Sequence, residues 1–496
     1  MPFFFVVNCV NMSSPKTFAL RIFLVALVLR LMPVLFTREL GIGLDDMFQY
    51  DMLARSLVSG NGFRWYAQRD LAQLAPYVNF DLTSVDYDPI RGVPTSFRAP
   101  LYPAFLALVY AVSGTGFVRF FAARLTQAIL LGAPLAPLTY FTAKRLFSPL
   151  LLGEGSGVRS ERAARIAAWI VAAYPMLLIF PLGLGTENLF FLLGLSSFYF
   201  LLSTIERPSA FSFLFSGLLL GLTALTRSVI LPFAGLAILW IWFSLKQKRG
   251  ALLVTLALTL TILPWVIRNS LLYGRLTGIE TSLGYNLYVG YHPESTGTFT
   301  FGPSLDLVAI LDDSVRDHLG TQRALEFIQA DPGRFVPLAV SRLGHFFRLE
   351  LRVLTYFYSS NFFGYIPTPG LLALAALFGL PFAILAISAA FGTLSLPRSP
   401  AVLLASFLFL GYLLPHVFIL SEERFHLALI PLFAMVAAHF WTSGWAAIKS
   451  SGRVALSLAV LVAVLLLINW TYQFTSDADK FAPLLGPNGN QTYYPY

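Results

Sequence analysis

The sequence carries little charge and almost no sulfur. Only 12% of its 496 residues are Asp, Glu, Lys or Arg, about half the share of an average soluble chain, so much of its surface must face something other than water. A single cysteine, Cys9, excludes both a disulfide framework and a cysteine-held zinc cluster. Histidine is sparse too, with six residues, none at HExxH spacing. Any ion here would have to be held by carboxylates. No internal repeat at a fixed period and no low-complexity segment is present.

What fills the chain is apolar: 57% hydrophobic residues and a mean hydropathy of +0.71. The formal charge of +9 does not mark a nucleic-acid surface, because the basic residues fall in loops between apolar runs. A helix crossing the hydrocarbon needs about 20 mostly apolar residues. Charge-free runs of that order recur at 99–118, 125–143, 166–186, 188–205, 208–226, 228–245, 250–267, 353–397, 399–421, 425–448 and 454–476, and 18–36 joins them despite Arg21 and Arg30. The N-terminal run lacks a small-residue cleavage site and reads as an uncleaved first span. The N-x-S/T triplets at Asn11, Asn469 and Asn490 lie at membrane edges or in the polar tail.

The positive-inside rule sets the topology. The basic clusters are Lys144/Arg145 with Arg159/Arg162/Arg165, then Lys246/Lys248/Arg249, Arg398, and Lys449/Arg453. All fall on the cytoplasmic side if 99–118 does not cross. Pro100 and Pro103 open that segment, and Gly114 and Gly116 break it after about a dozen helical positions. The expectation is an all-α polytopic integral membrane protein of about eleven transmembrane helices. Its N-terminus is cytoplasmic, and two long outer loops, 37–98 and 269–352, carry juxtamembrane helices. The first loop holds eight acids against six arginines, a net of −2. In the second, Arg342, His345, Arg348 and Arg352 recur every three or four residues among Leu343, Phe346, Phe347 and Leu349, the pattern of an interfacial helix resting a basic stripe on anionic lipid.

Just beyond the first span, Asp45 and Asp46 are adjacent, and Tyr50, Leu53, Ala54 and Leu57 follow at helical intervals. A helix beginning there presents its positive end to the acids. Carboxylates at a membrane surface facing arginines form a candidate reaction site. The candidate cations stand at helix ends: Arg98, Arg268, and Arg424 with His426, beside Glu422 and Glu423. Glu187, in the turn GTEN, reads as a helix cap, a supporting carboxylate or an ion ligand. Arg30, inside span one, reads as snorkelling or as pointing to an anionic headgroup.

These residues resemble a family. An acid pair and tyrosine after span one, the LARSL..GNGF helix, R-x-P-L-Y-P at Arg98 to Pro103, GLTALTR at Gly221 to Arg227, PWVIRN at Pro264 to Asn269, GYNLYVGYHPESTG at Gly284 to Gly297 and SEERFHLALIP at Ser421 to Pro431 are similar to the C-type (GT-C) membrane glycosyltransferases. The resemblance is to the branch of protein O-mannosyltransferases and the lipid A aminoarabinose transferase. It implies a hexosyl- or pentosyltransferase that moves a sugar, with inversion, from a polyprenyl-phosphate donor to a lipid, glycan or protein acceptor. The implied seat is the outer face of a bacterial cytoplasmic (inner) membrane. The family spacing of catalytic acid and tyrosine implies Asp46, paired with Tyr50, as general base. Met47 stands where Glu or Ser is common, which keeps Asp45 open as the base. Arg98, Arg268, Arg424 and His426 would bind the donor phosphate, supported by Tyr50, Tyr102, Glu187 and Glu423, with a divalent metal left undecided. On this reading 1–268 is the catalytic membrane module, 269–352 the second outer loop, 353–476 the C-terminal helices and 477–496 a short outer tail. A flippase or transporter, and a ligase or polymerase using a pyrophosphate-linked donor through the 342–352 stripe, are the alternatives. No nucleic-acid partner is expected.

Overall fold

The computed structural model describes residues 14–148, 157–354 and 366–479. Cys9, Asn11, Asn490 and most of the tail lie outside them. Eight helices are long and apolar enough to cross a membrane: Pro15–Phe36, Val118–Leu146, Glu187–Glu206, Lys248–Tyr273, Thr368–Ser395, Pro400–Phe418, Glu423–Ser443 and Arg453–Ser476. A ninth candidate is broken, with Val158–Ala173 and Pro175–Leu182 meeting at 53°. The expected eleven is reached only by adding two shorter apolar helices, Ala210–Ala224 and Ser228–Phe243. The chain is an all-α, multi-pass integral membrane protein; among the described residues the only paired strands are the ribbon Arg64–Trp65 with Val93–Pro94.

The helix Leu101–Ser113 does not cross. Its 13 residues span about 20 Å at 1.5 Å per residue, short of a hydrocarbon core of about 30 Å. Parity says the same. Were it to cross along with Val118–Leu146 and the broken span, Asp46 and Glu187 would lie on opposite faces of the membrane, yet Arg424 contacts both. The helix instead lies against Asp46–Val58, with Tyr102, Leu106 and Tyr110 buried in a shared cluster with Tyr50 and Ala54. A buried ion network pins this layer: Arg55 bonds Asp51 at 2.7 Å and Asp70 at 2.8 Å, while Arg119 and the Tyr110 hydroxyl reach Asp51 at 2.7 and 3.0 Å.

Two sequence expectations are corrected here. Arg30 neither snorkels nor faces a ligand. Pro175 has no N–H, so the carbonyls of the last turn before it lose helical partners, and the fully buried Arg30 donates to those of Val171 and Ala172 at 3.0 and 3.1 Å. Gly132 makes room for it, since a Cβ there would stand 2.8 Å from the Arg30 side chain. The expected basic stripe at 342–352 is also turned around. On the helix Phe335–Phe346, Arg342 is buried and donates to the carbonyls of Gly290 and Phe418 at 2.5 and 3.2 Å. Arg348 pairs with Asp477 at 2.8 Å. The exposed residues of that helix are Phe335, Val336, Pro337, Val340 and Leu343, and of the basic residues in the stripe only Arg352 is exposed. The face offered outward is apolar, because a guanidinium gains more from freed carbonyls than from water at the rim.

Cysteines introduced at the exposed positions Ser84, Gln322 and Gln247, after Cys9→Ser, test the topology. Ser84 and Gln322 are expected to label from one side of the membrane and Gln247 from the other; a common side for Ser84 and Gln247 would overturn the assignment of Leu101–Ser113.

Candidate functional site

The acid pair divides its labour at the start of the helix Asp46–Val58. Asp45 is the N-cap and its carboxylate accepts the Met47 N–H at 2.9 Å, satisfying one of the orphan donors of the first turn. Burial, and next to it the neighbouring Asp46, push the Asp45 carboxyl up. Asp46 is the first helical residue and is free to project. One carboxylate oxygen accepts a hydrogen bond from Arg98, and the other lies 3.4 Å from Nη2 of Arg424. Its side chain is 39% exposed. Burial opposes its ionisation, but the guanidinium groups of Arg98, Arg424 and Arg227 outweigh that and pull its carboxyl down to about 2.

From Asp46 a row of alternating charges continues across the bundle. Arg424 lies 2.7 Å from Glu422 and 3.8 Å from Glu187, and Glu187 accepts a hydrogen bond from Arg227 at 2.8 Å. Each member comes from a different turn at the same end of the bundle. Glu187 opens the helix Glu187–Glu206, Arg227 follows Ala210–Ala224, and Arg424 lies in the first turn of Glu423–Ser443. Arg98 is aimed by its loop: Asp313 accepts the backbone N–H groups of Ser96 and Phe97 at 2.8 and 3.1 Å. The Arg98 Nε then donates to Gln49 at 2.8 Å, and its guanidinium lies 5.2 Å from the Tyr50 ring centroid, a cation–π distance. Tyr50 in turn meets Tyr102 edge to face at 5.1 Å, and the Tyr102 hydroxyl donates to Gln127 at 2.8 Å. A small apolar recess within the bundle is lined by Phe190, Ile230, Leu408, Tyr412, Ala428 and Leu432. Three of these stand one turn beyond Glu187, Arg227 and Arg424.

Of the anticipated residues, Asp46, Arg98, Arg424, Glu187 and Tyr50 meet at this row, with Tyr102 behind them. Three do not. Arg268 spends its donors on the carbonyls of Thr95 and Phe63 at 2.6 and 3.2 Å, stapling the first loop to its span. His426 is fully buried between the Phe346 carbonyl and Glu350, both at 2.8 Å, with its ring stacked on Phe382 at 3.8 Å. Glu423 accepts the Arg352 N–H at 2.9 Å, away from Asp46. Glu422 takes its place, and Arg227 was passed over. Both had a signal, since each ends a charge-free run at a turn that parity assigns to the same side as Glu187. A divalent ion does not fit the side chains as they stand: Asp45 caps a helix, Asp46 and Glu187 each face guanidinium groups, and among the described residues no three His, Cys, Asp or Glu groups converge.

The sequence matches no protein-family model and no curated protein. Among solved structures, it is similar to the Archaeoglobus fulgidus oligosaccharyltransferase in complex with Zn and sulfate, with a TM-score of 0.51 at 16% identity, covering 96% of this chain and 57% of that one. The apo form of the same protein gives 0.51 at 16% identity over 98% and 61%. ArnT from Cupriavidus metallidurans, bound to undecaprenyl phosphate, gives 0.38 at 14% identity over 85% and 77%. The chain thus spans about three-fifths of the length of the archaeal protein, whose fold it shares.

The row makes a stability prediction. Arg227→Ala leaves the buried Glu187 with only Arg424 at 3.8 Å, and is expected to cost about 3 kcal/mol in thermal unfolding of the purified protein. Arg227→Met combined with Glu187→Leu is expected to recover most of that loss, because the desolvated charge then goes with its partner.

Proposed function

We propose that this chain, which has the fold of the C-type membrane glycosyltransferases, transfers a sugar from a polyprenyl-phosphate donor to a lipid, glycan or protein acceptor at the outer face of a bacterial cytoplasmic membrane. The observation that carries the proposal is a carboxylate, Asp46, that caps nothing and is held at one end of a membrane bundle between two guanidinium groups. Arg98 and Arg424 suit the phosphate of such a donor.

The reaction is an in-line displacement. An acceptor O–H gives its proton to Asp46 as its oxygen attacks the anomeric carbon. The bond from that carbon to the phosphate oxygen breaks, and its electron pair leaves on a polyprenyl phosphate that now carries a second negative charge. Arg98 and Arg424 meet that charge, so they stabilise the transition state more than the bound donor. The resting state creates a problem and also its remedy. A carboxyl held at about 2 is a poor base, yet the groups that hold it there are those the donor phosphate draws away. Donor binding therefore raises the basicity of Asp46 when a base is needed.

The pH dependence follows from that depressed value. The free protein keeps Asp46 ionised through neutral and mildly acid pH, and loses its ionic contacts only as pH falls through about 2. The acid limb of kcat/KM, which reports the free protein, is expected to lie well below the acid limb of kcat, which reports the donor complex. A limb at the same pH in both profiles would remove the phosphate-release step.

Asp46→Asn keeps shape and removes basicity. Turnover is expected to fall at least about 100-fold with donor lipid still bound and the protein still monodisperse, while Asp45→Asn, which keeps an acceptor for the Met47 N–H and so keeps the cap, loses less. The reverse order would move the base to Asp45, and near-normal turnover in both variants and in the double variant would refute the mechanism. Arg424→Lys keeps the charge but loses the planar fork, so donor affinity is expected to drop; wild-type activity in Arg424→Ala would take this residue out of the site.

A further inference from the structure

A second concentration of guanidinium groups lies in the same loop, away from Asp46. The helix Asp46–Val58 turns Met52, Arg55, Ser56 and Ser59 to the side opposite Asp46, and Arg55 lies nine residues on, about 14 Å along the axis at 1.5 Å per residue. There the helix and the ribbon Arg64–Trp65/Val93–Pro94 enclose an open polar recess lined by Arg55, Arg64, Arg69, Arg91 and Asn61, with Trp65. Four arginines gather here in a loop whose net charge is negative.

Their partners account for only part of that charge. Arg55 is neutralised by Asp51 and Asp70. Arg64 uses Nε and one terminal nitrogen on the Gly92 carbonyl, at 3.2 and 3.1 Å, and so keeps one terminal nitrogen for another acceptor. Arg69 is 67% exposed and 4.0 Å from an Asp70 that already pairs with Arg55. Arg91 has no ion pair within 4.0 Å among the described residues; one oxygen of Asp88 accepts the backbone N–H groups of Ile90 and Arg91 at 2.8 and 3.0 Å, and the charge of this single carboxylate is shared between Arg91 and Arg64 at longer range. The recess also holds a buried donor without an acceptor: Trp65 is 2% exposed, and its indole N–H makes no hydrogen bond. A buried N–H left unpaired is costly, while the Trp65 ring itself packs on Tyr66 and Phe97 at 4.6 and 5.5 Å.

The backbone is shaped to hold this set. Gly92 has φ +71°, and a Cβ there would lie 1.9 Å from the Trp65 carbonyl oxygen, so the chain carrying Arg91 packs directly on the chain carrying Arg64 and Trp65. The helix end does not fill the recess with its own carbonyls, since Ser59, Gly60 and Asn61 return their N–H groups to Arg55, Leu57 and Ser56.

We infer that this recess binds a single anionic group, a phosphate or a carboxylate, through Arg69, Arg91, the spare Arg64 donor and the Trp65 N–H. The inference does not rest on the transfer reaction, because Asp46 lies on the other side of the helix. The bearer of the anion is either an acceptor molecule or the headgroup of an anionic lipid at the membrane surface.

Inorganic phosphate titrated into the purified full chain by calorimetry is the test. Wild type is expected to bind phosphate at two places, here and at Arg98/Arg424. Arg69→Ala with Arg91→Ala is expected to remove one and Arg424→Ala to weaken the other. Neither Arg69 nor Arg91 supports packing, so the double variant keeps its fold. Trp65→Phe keeps the ring and loses the N–H, and is expected to weaken the recess about tenfold. A phosphate isotherm in the double variant that superposes on wild type overturns the inference, as does unchanged affinity in both the double variant and Trp65→Phe. Repeating the titration in nanodiscs of phosphatidylcholine with and without phosphatidylglycerol separates the sources: competition by phosphatidylglycerol assigns the site to a headgroup, and its absence to an acceptor-borne anion. Turnover of Asp46→Asn is independent of every arm, so failure here and failure of the transferase reading are distinguishable.

Discussion

The ionic contact of Asp46 with Arg98 and Arg424 is the constraint on which the arrangement depends. It joins three segments far apart in the chain: the first long loop, its return to the bundle and the first turn of Glu423–Ser443. It also fixes the parity of the spans between them, since groups in contact cannot lie on opposite faces of a membrane. Its strength comes from where it sits. In bulk water such a pair is worth little, but where protein replaces part of the water the same charges attract more strongly.

Arginines at the ends of these spans fall into two classes by what they face. Arg30, Arg124, Arg268 and Arg342 face backbone carbonyls. Arg124, for example, donates to those of Leu182 and Gly41 at 2.8 and 2.6 Å. They serve places where a proline or a helix end leaves acceptors without partners, and in a lipid-facing fold such groups have no water to turn to. Arg98, Arg227 and Arg424 face carboxylates. An incoming anion can compete for the second class by taking over the carboxylate's role, while displacing the first would orphan buried carbonyls. That difference sets the end of the bundle holding Asp46 apart more firmly than the number of charges there does.

Much of the fold was legible because hydropathy and charge spacing act locally. The interruption of 101–113 by Pro100 and Gly114, the helix starting at Asp46 and the capping bias of Asp45 all depend on neighbours within a few residues. The failures have one cause. A repeat of Arg342, His345 and Arg348 says that these side chains share a helix face, but whether it turns to solvent or to the core depends on what stands opposite; here it is the end of Pro400–Phe418, whose last carbonyls need donors. Arg268 and His426 misled for the same reason, since their partners, Thr95 and Glu350, lie 173 and 76 residues away. Arg227 was overlooked because snorkelling arginines end many spans, and only its contact with Glu187 sets it apart.

The same division bears on the rival readings. A ligase drawing a pyrophosphate to the 342–352 stripe would need Arg342 and Arg348 free, yet one holds carbonyls and the other Asp477. A transporter would be expected to keep ionisable residues near the middle of the bundle, whereas Asp46, Glu187, Arg227, Glu422 and Arg424 all gather at its end. Under the proposed reaction, a charge row at one end, balanced within itself, stays stable until an anion with a lipid tail arrives. The tail then gains from burial, and the anion exchanges one partner of each guanidinium for another without leaving a charge unpaired. Such an exchange would need no large rearrangement of the helices, because in the proposed reaction the groups that release Asp46 are those that receive the phosphate.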